Sequence, residues 1–134
     1  MLTQWPPGTV LVLSTGGQGP HAIPVSAAVL AGPGRILIGL AEGRESLRRL
    51  RADPRVALAI MAENLVVTVY GSARELEGEL TSGVIAVEVS IDRVQDHGRP
   101  TFVIEAGVRW NWTDSDARGR DQQVRDALVR LAGA

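Results

Sequence analysis

The chain has 134 residues, is 45% hydrophobic, and carries a formal net charge of -1. That length and apolar content suit one folded domain with a real core, and they exclude a disordered chain. The near-neutral balance removes any bulk attraction to nucleic acid or an anionic membrane, and the absence of cysteine excludes disulfides, thiolate catalysis and zinc–sulfur sites.

The opening "MLTQWPPG" has no basic region followed by an apolar core, so it does not read as a signal peptide. No apolar run approaches the roughly 18 residues of a membrane-spanning helix. A soluble, cytoplasmic protein is therefore expected. Thr9–Ser14, "TVLVLS", predicts a first strand, and "TGGQGP" a turn. Ala22–Leu30, "AIPVSAAVL", predicts a second strand, whose Pro24 argues for an edge or a bulge because proline cannot donate to a ladder. After the "AGPG" turn, Arg35–Leu40 predicts a third strand, and the three together predict an antiparallel meander.

A helix follows, with Leu47 and Leu50 on its buried face and Pro54 as its stop. Val56–Met61 and Leu65–Tyr70 predict two strands joined by a tight link, with Gly71 marking a bend or bulge. "GVIAVEVSIDRVQ" alternates Ile85, Val87, Val89 and Ile91 against Ala86, Glu88, Ser90 and Asp92, the pattern of a half-buried strand. Thr101–Trp112 predicts one more strand. Arg120–Leu131 sets Val124, Ala127, Leu128 and Leu131 at helical spacing. The sum is mainly β (α+β): a barrel of about six to seven antiparallel strands, with a short helix after the third and a C-terminal helix.

Catalytic side chains are scarce. His21 and His97 stand far apart in sequence, no G-x-S-x-G elbow is present, and no histidine–carboxylate cluster offers a metal site. "TGGQGP" lacks the G-x-G-x-x-G spacing and a following helix, so a hairpin turn is the better reading. Trp5, Trp110 and Trp112 are read as core, interface or stacking groups. Arg44, Arg48, Arg49, Arg51 and Arg55 crowd into residues 42–60. On a helical wheel Arg44, Arg48 and Arg51 form one outward stripe, while Ser46 and Arg49 flank the leucines. That flank could hold a phosphate, through arginine forks and amides at the helix start. A nucleic-acid patch is disfavoured, since aromatics are only 4% and do not interleave with these arginines.

The stretches "GPHAIPVSAAVL", "RILIGLAEGRESLRRLRADPRVALAI" and "VVTVYGSARELEG" resemble the pyridoxamine 5′-phosphate oxidase-like, FMN-binding split β-barrel family, which includes deazaflavin-dependent reductases. The likeness covers residues 9–76 well and 84–113 loosely. It implies a homodimer, with FMN or the deazaflavin F420 in a groove between subunits. Pro24, Val25 and Ser26 would lie along the ring system, Leu40 and Ala41 would approach it, and Arg44, Ser46, Arg48 and Arg49 would hold the phosphate. It implies an oxidoreductase passing hydride or electrons between the flavin and a small organic substrate, with no side chain acting as nucleophile. A non-enzymatic binder of flavin, deazaflavin or haem on the same barrel is the alternative. Ser46 stands where many members carry lysine, Arg49 where asparagine is common, and Glu45 at a position basic in the oxidases. Val66 replaces a polar ring contact of those oxidases, which argues against their own substrate.

Overall fold

Short β-branched runs broken by glycine and proline fold into seven strands and two helices. The computed structural model describes residues 2–133. In chain order come β1 (Leu11–Thr15), β2 (His21–Val25), β3 (Ala28–Leu30), β4 (Arg35–Ala41), α1 (Glu45–Ala52), β5 (Arg55–Ala62), β6 (Leu65–Glu75), β7 (Val84–Asp96) and α2 (Ser115–Ala132). All pairings are antiparallel, in the order β2-β1-β5-β6-β7-β4-β3. β2 and β3 thus form the two far edges of the sheet, although only Ser26 and Ala27 separate them in the chain. Three peptide units reach about 11 Å at most. The sheet must curl until its edges nearly meet, and the bond from the Gly39 N–H to Ala27 O at 2.9 Å carries the β3–β4 ladder one residue into that short link. The fold is a split β-barrel.

Two expectations about the strands need correcting. The run Ala22–Leu30 is not one strand of a meander: it breaks at Ser26–Ala27, so β2 pairs with β1 and β3 with β4. Pro24 sits on the edge strand, opposite Val12, where its missing N–H does least harm. Thr101–Trp112 is not a strand. The sheet has only two edges, β2 and β3, both at the split, and every other strand already has two neighbours. The segment instead runs as a strap over the outside, fastened where the Asn64 N–H donates to Ile104 O at 2.9 Å.

Alternate residues of β1, β4, β5, β6 and β7 fill the barrel, among them Leu11, Leu13, Ile36, Ile38, Leu58, Ile60, Val69, Val87 and Val89. Leu47 and Leu50 of α1 and the N-terminal Trp5 complete the same core. Trp5 donates its indole N–H to Ala28 O at 3.0 Å. Each large apolar side chain taken wholly from water contributes about 1.5–3 kcal/mol.

α2 lies outside the barrel, on β3 and β4. Val124 and Leu128 pack on Leu37 and Ala31, which buries Leu37 although it faces out of the barrel. The helix starts at Ser115, earlier than its apolar spacing implies, because the Asp114 side chain accepts from the Asp116 N–H as an N-cap. Gly39 admits the helix: a Cβ there would stand 2.8 Å from Val124 Cγ1. Gly39→Ala is expected to cost about 1–3 kcal/mol through overpacking. A lower urea midpoint at unchanged m-value is the expected reading; an unmoved midpoint would refute this packing.

Candidate functional site

The helix face is resolved as the wheel divides it. Leu47 and Leu50 are buried, and Arg44, Arg48 and Arg51 are exposed. Arg51 is tied to Glu75 at 2.7 Å. Ser46 is 1% exposed, and its Oγ is buried with no hydrogen-bond partner. Arg49 sits between these faces and is heavily committed. Its Nε donates to Glu45 Oε2 at 2.8 Å, and its Nη1 donates to Gly16 O at 3.0 Å and Gly19 O at 2.8 Å. The guanidinium therefore clamps α1 to the β1–β2 turn. Its Nη2 makes no bond among the described residues.

Glu45 is the centre of this cluster. Besides Arg49 it accepts from Arg48 Nη2 at 3.3 Å, and His21 Nε2 stands 3.7 Å away. The hydrogen bond from Arg49, then that residue's charge, holds the Glu45 carboxyl below the usual carboxylate range. Beside the cluster is a shallow pocket of about 260 Å³ lined by Gly17, Gln18, Glu45, Arg48, Arg49 and Ala52.

The split supplies the second part of the site. β2 pairs only with β1, so its other edge carries free backbone groups. β3 reaches only Ile38 of β4, which leaves Leu40 and Ala41 without a strand on that side. A cleft of about 370 Å³ is lined by Val10, Pro24, Val25, Ser26, Trp110 and Trp112, among others. A neighbouring cavity of about 460 Å³ includes Ala27, Gly39, Ala41 and Trp112. Trp112 thus stands between the two. It is held by its indole N–H, which donates to Asp121 Oδ2 at 3.2 Å, and it meets Trp110 edge-on at 5.3 Å.

The fold therefore gathers Pro24, Val25 and Ser26 in one cleft, Ala41 in the next, and Arg48 and Arg49 at α1. Leu40 and Ser46 are buried and line none of these three; Arg44 is exposed and lines none of them either. Sequence reasoning missed the Glu45–Arg49 lock, although the i,i+4 spacing was there to read. It also missed that a long-range strap would bring Trp110 and Trp112 against β2, for which no local pattern exists.

The outside of the barrel falls into distinct sectors. On one, Arg35 and Arg74 both pair with Glu88, at 2.9 and 3.1 Å. Burial pushes the Glu88 carboxyl up, but the two arginine bonds outweigh it and hold the group low. A second sector is covered by α2. On the third, register places Ala22 and Pro24 of β2 beside Val12 and Ser14 of β1, then Ala57, Ala59 and Met61 of β5, then Val66, Thr68 and Tyr70 of β6. None of these ten is charged. Phe102, Val103 and Val108 of the strap are also exposed.

No protein-family model and no curated protein matches the chain. Solved structures do match in shape. A pyridoxamine 5′-phosphate oxidase-like protein of Listeria innocua superposes with a TM-score of 0.58 at 14% identity, over 68% of this chain and 90% of that one. An F420 reductase gives 0.56 at 14% identity, over 66% and 90%. A haem-binding protein of Mycobacterium smegmatis gives 0.56 at 22% identity, over 69% and 51%. At these identities the likeness shows the fold: this chain is a split β-barrel of the kind that pyridoxamine 5′-phosphate oxidase-like proteins adopt. Among the described residues no helix is long and apolar enough to cross a membrane.

Proposed function

We propose that the chain binds a flavin-type cofactor, FMN or its deazaflavin analogue F420, along the split of the barrel, and that it works as a homodimeric oxidoreductase on a small organic substrate. The observation that carries the reading is the split itself. Two strand edges face each other unpaired, with Pro24–Ser26 on one side, Ala41 on the other, and tryptophans beside them. Edge amides and carbonyls suit the polar rim of a planar heteroaromatic ring, and indole suits its face. Arg48 and the uncommitted Nη2 of Arg49 would meet the phosphate at α1. A bound flavin or deazaflavin supplies the hydride chemistry, so the chain need only bind, orient and exclude water. The uncharged sector across β2, β1, β5 and β6 supports a self-complementary dimer contact.

A second reading is a non-enzymatic binder of flavin, deazaflavin or haem. Two features favour it: Glu45 already occupies Arg49, and no ionisable side chain lines the cleft at Pro24–Ser26. Titration with FMN and with F420, followed by visible absorbance, tests both. Uptake of one at micromolar concentration is expected; uptake of neither sinks both. Arg49→Ala should weaken uptake by roughly tenfold or more, the loss of a charge-assisted bond, and Arg51→Ala should leave it nearly unchanged. Glu45→Gln keeps the helix but frees the guanidinium. It should tighten uptake only a few-fold, about three- to fivefold, because the pair is half-exposed and screened. Equal effects of the two arginine variants would remove the phosphate from this helix face. Reduction of the bound cofactor by NAD(P)H separates the enzyme from the binder.

A further inference from the structure

A large cavity lies at the barrel end opposite α1 and takes no part in the phosphate site. It is a groove of about 620 Å³ between the N-terminal Pro6–Thr9, the β5–β6 turn, the strap and α2. Register fixes its place: Leu11 pairs with Ile60 at this end of β1, whereas Thr15 pairs with Val56 at the α1 end.

Its walls are built from long-range bonds. The Trp110 indole N–H donates to Gly8 O at 2.8 Å, and the Trp112 indole to Asp121 Oδ2 at 3.2 Å. Arg118 Nη2 donates to Trp112 O at 3.3 Å. Both indole N–H groups are therefore spent on the scaffold, and carbon surface of the rings is what the groove presents. The α2 wall is cationic. Arg118 makes no ion pair among the described residues, and Arg125, though paired with Asp121 at 2.9 Å, keeps a buried Nε with no partner. Burying an unbonded charged donor is unfavourable unless something meets it. The turn and the strap bring two carboxylates, Glu63 and Glu105, together with one further cation, Arg109. Trp110, Asn111 and Trp112 also line the cleft at Pro24–Ser26, so the two spaces adjoin.

We infer that this groove is the substrate subsite and takes a flat, amphoteric molecule: an aryl carboxylate whose opposite end carries an amine or another hydrogen-bond donor. The carboxylate meets Arg118 and Arg125, the ring lies on the tryptophans, and the donor end meets Glu63 and Glu105. That the bound molecule is a substrate rests on the cofactor reading above; that the groove binds it does not.

The test uses the cofactor-free protein, with 4-aminobenzoate as probe and benzoate, aniline and inorganic phosphate as comparators, read by tryptophan fluorescence and calorimetry. The expected result is quenching and saturable binding of 4-aminobenzoate, weaker binding of benzoate, and little of aniline or phosphate. Arg118→Gln should weaken binding roughly tenfold, the loss of a charge-assisted bond. Because it lies on an exposed helix face, its fold can be checked by thermal unfolding. Glu63→Gln, on the turn, should weaken 4-aminobenzoate but not benzoate. No saturable binding at millimolar probe, or equal affinity for aniline, overturns the groove assignment. Cofactor uptake without probe binding also overturns it and leaves the cleft reading intact. Probe binding without uptake of FMN or F420 upholds the groove as a ligand site and overturns the cofactor reading.

Discussion

Replacing Gly71 with alanine is expected to destabilise the protein by about 3 kcal/mol, the upper range for overpacking. For a chain of this length that is a drop of roughly 10–15 °C in Tm. The reason is local. Tyr70 pairs with Arg93 but Gly71 pairs with Ile91, so Asp92 is an extra residue in β7, and the two strands close up at the bulge. A Cβ on Gly71 would fall well inside contact distance of Ser90 O, with Val89 Cγ1 at 3.1 Å. Backbone cannot rotate away as a side-chain tip can, so the ladder must shift. The bulge also switches the alternation of β7, because Val89 faces the core opposite Ala73 while, beyond Asp92, Val94 pairs with the buried Val69. A slip here would turn the end of the strand over. Gly34→Ala is the control: a Cβ there meets nothing within 4 Å, and the substitution should be near neutral. Equal midpoints for Gly71→Ala and wild type in urea would show that the bulge has slack the geometry denies.

The bulge also marks how far the sequence can be read. Gly71 signals a bend because glycine inside a strand leaves no side chain to pack, and the signal is correct. The alternation Ile85–Ile91 predicts a strand, and Ile85, Val87 and Val89 are buried. Ala86 breaks the pattern, being buried as well, because Gly39 opposite it makes room for α2. That cover comes from a helix that begins only at Ser115, which no local window contains. The split has the same origin. "AIPVSAAVL" reads as one strand because nothing in its own composition says that its halves pair at opposite edges of the sheet. Only the strand order does, and the strand order follows from closure of the barrel. Thr101–Trp112 has strand composition but lacks a partner edge. Propensity supplies the candidate; pairing is decided elsewhere.

The helix shows the complementary case. Spacing alone places Leu47 and Leu50 inward and Arg44, Arg48 and Arg51 outward. Spacing does not reveal that Arg49 also reaches the carbonyls of Gly16 and Gly19, 33 and 30 residues away. Those bonds change what the residue can do. A phosphate arriving at Arg49 meets a guanidinium already shared with Glu45 and two carbonyls, so binding there is an exchange of partners rather than a new contact. This is why Glu45→Gln and Arg49→Ala are expected to move cofactor affinity in opposite directions.

Ala59→Arg is expected to turn the proposed dimer into a monomer. Ala59 lies near the middle of the uncharged sector, between Val12 of β1 and Thr68 of β6. It faces out of the barrel, so the substitution need not disturb the core, and the long side chain can reach water in an isolated subunit. In an isologous contact the patch meets its own copy, and each subunit brings the same new charge. Burying an unpaired charge costs about 3–5 kcal/mol. The dimer dissociation constant should therefore rise by roughly a thousandfold or more. Ser90→Arg is the matched control, because Ser90 lies exposed on β7, opposite Arg35 and beyond Glu88, where the outer face already carries charge. Sedimentation should show a dimer for wild type and Ser90→Arg and a monomer for Ala59→Arg, with similar far-UV circular dichroism for all three. Cofactor uptake then places the groove: if the split needs the second subunit to be complete, Ala59→Arg loses uptake together with the dimer. A monomeric wild type, or an Ala59→Arg dimer of undiminished affinity, would remove this face from the assembly.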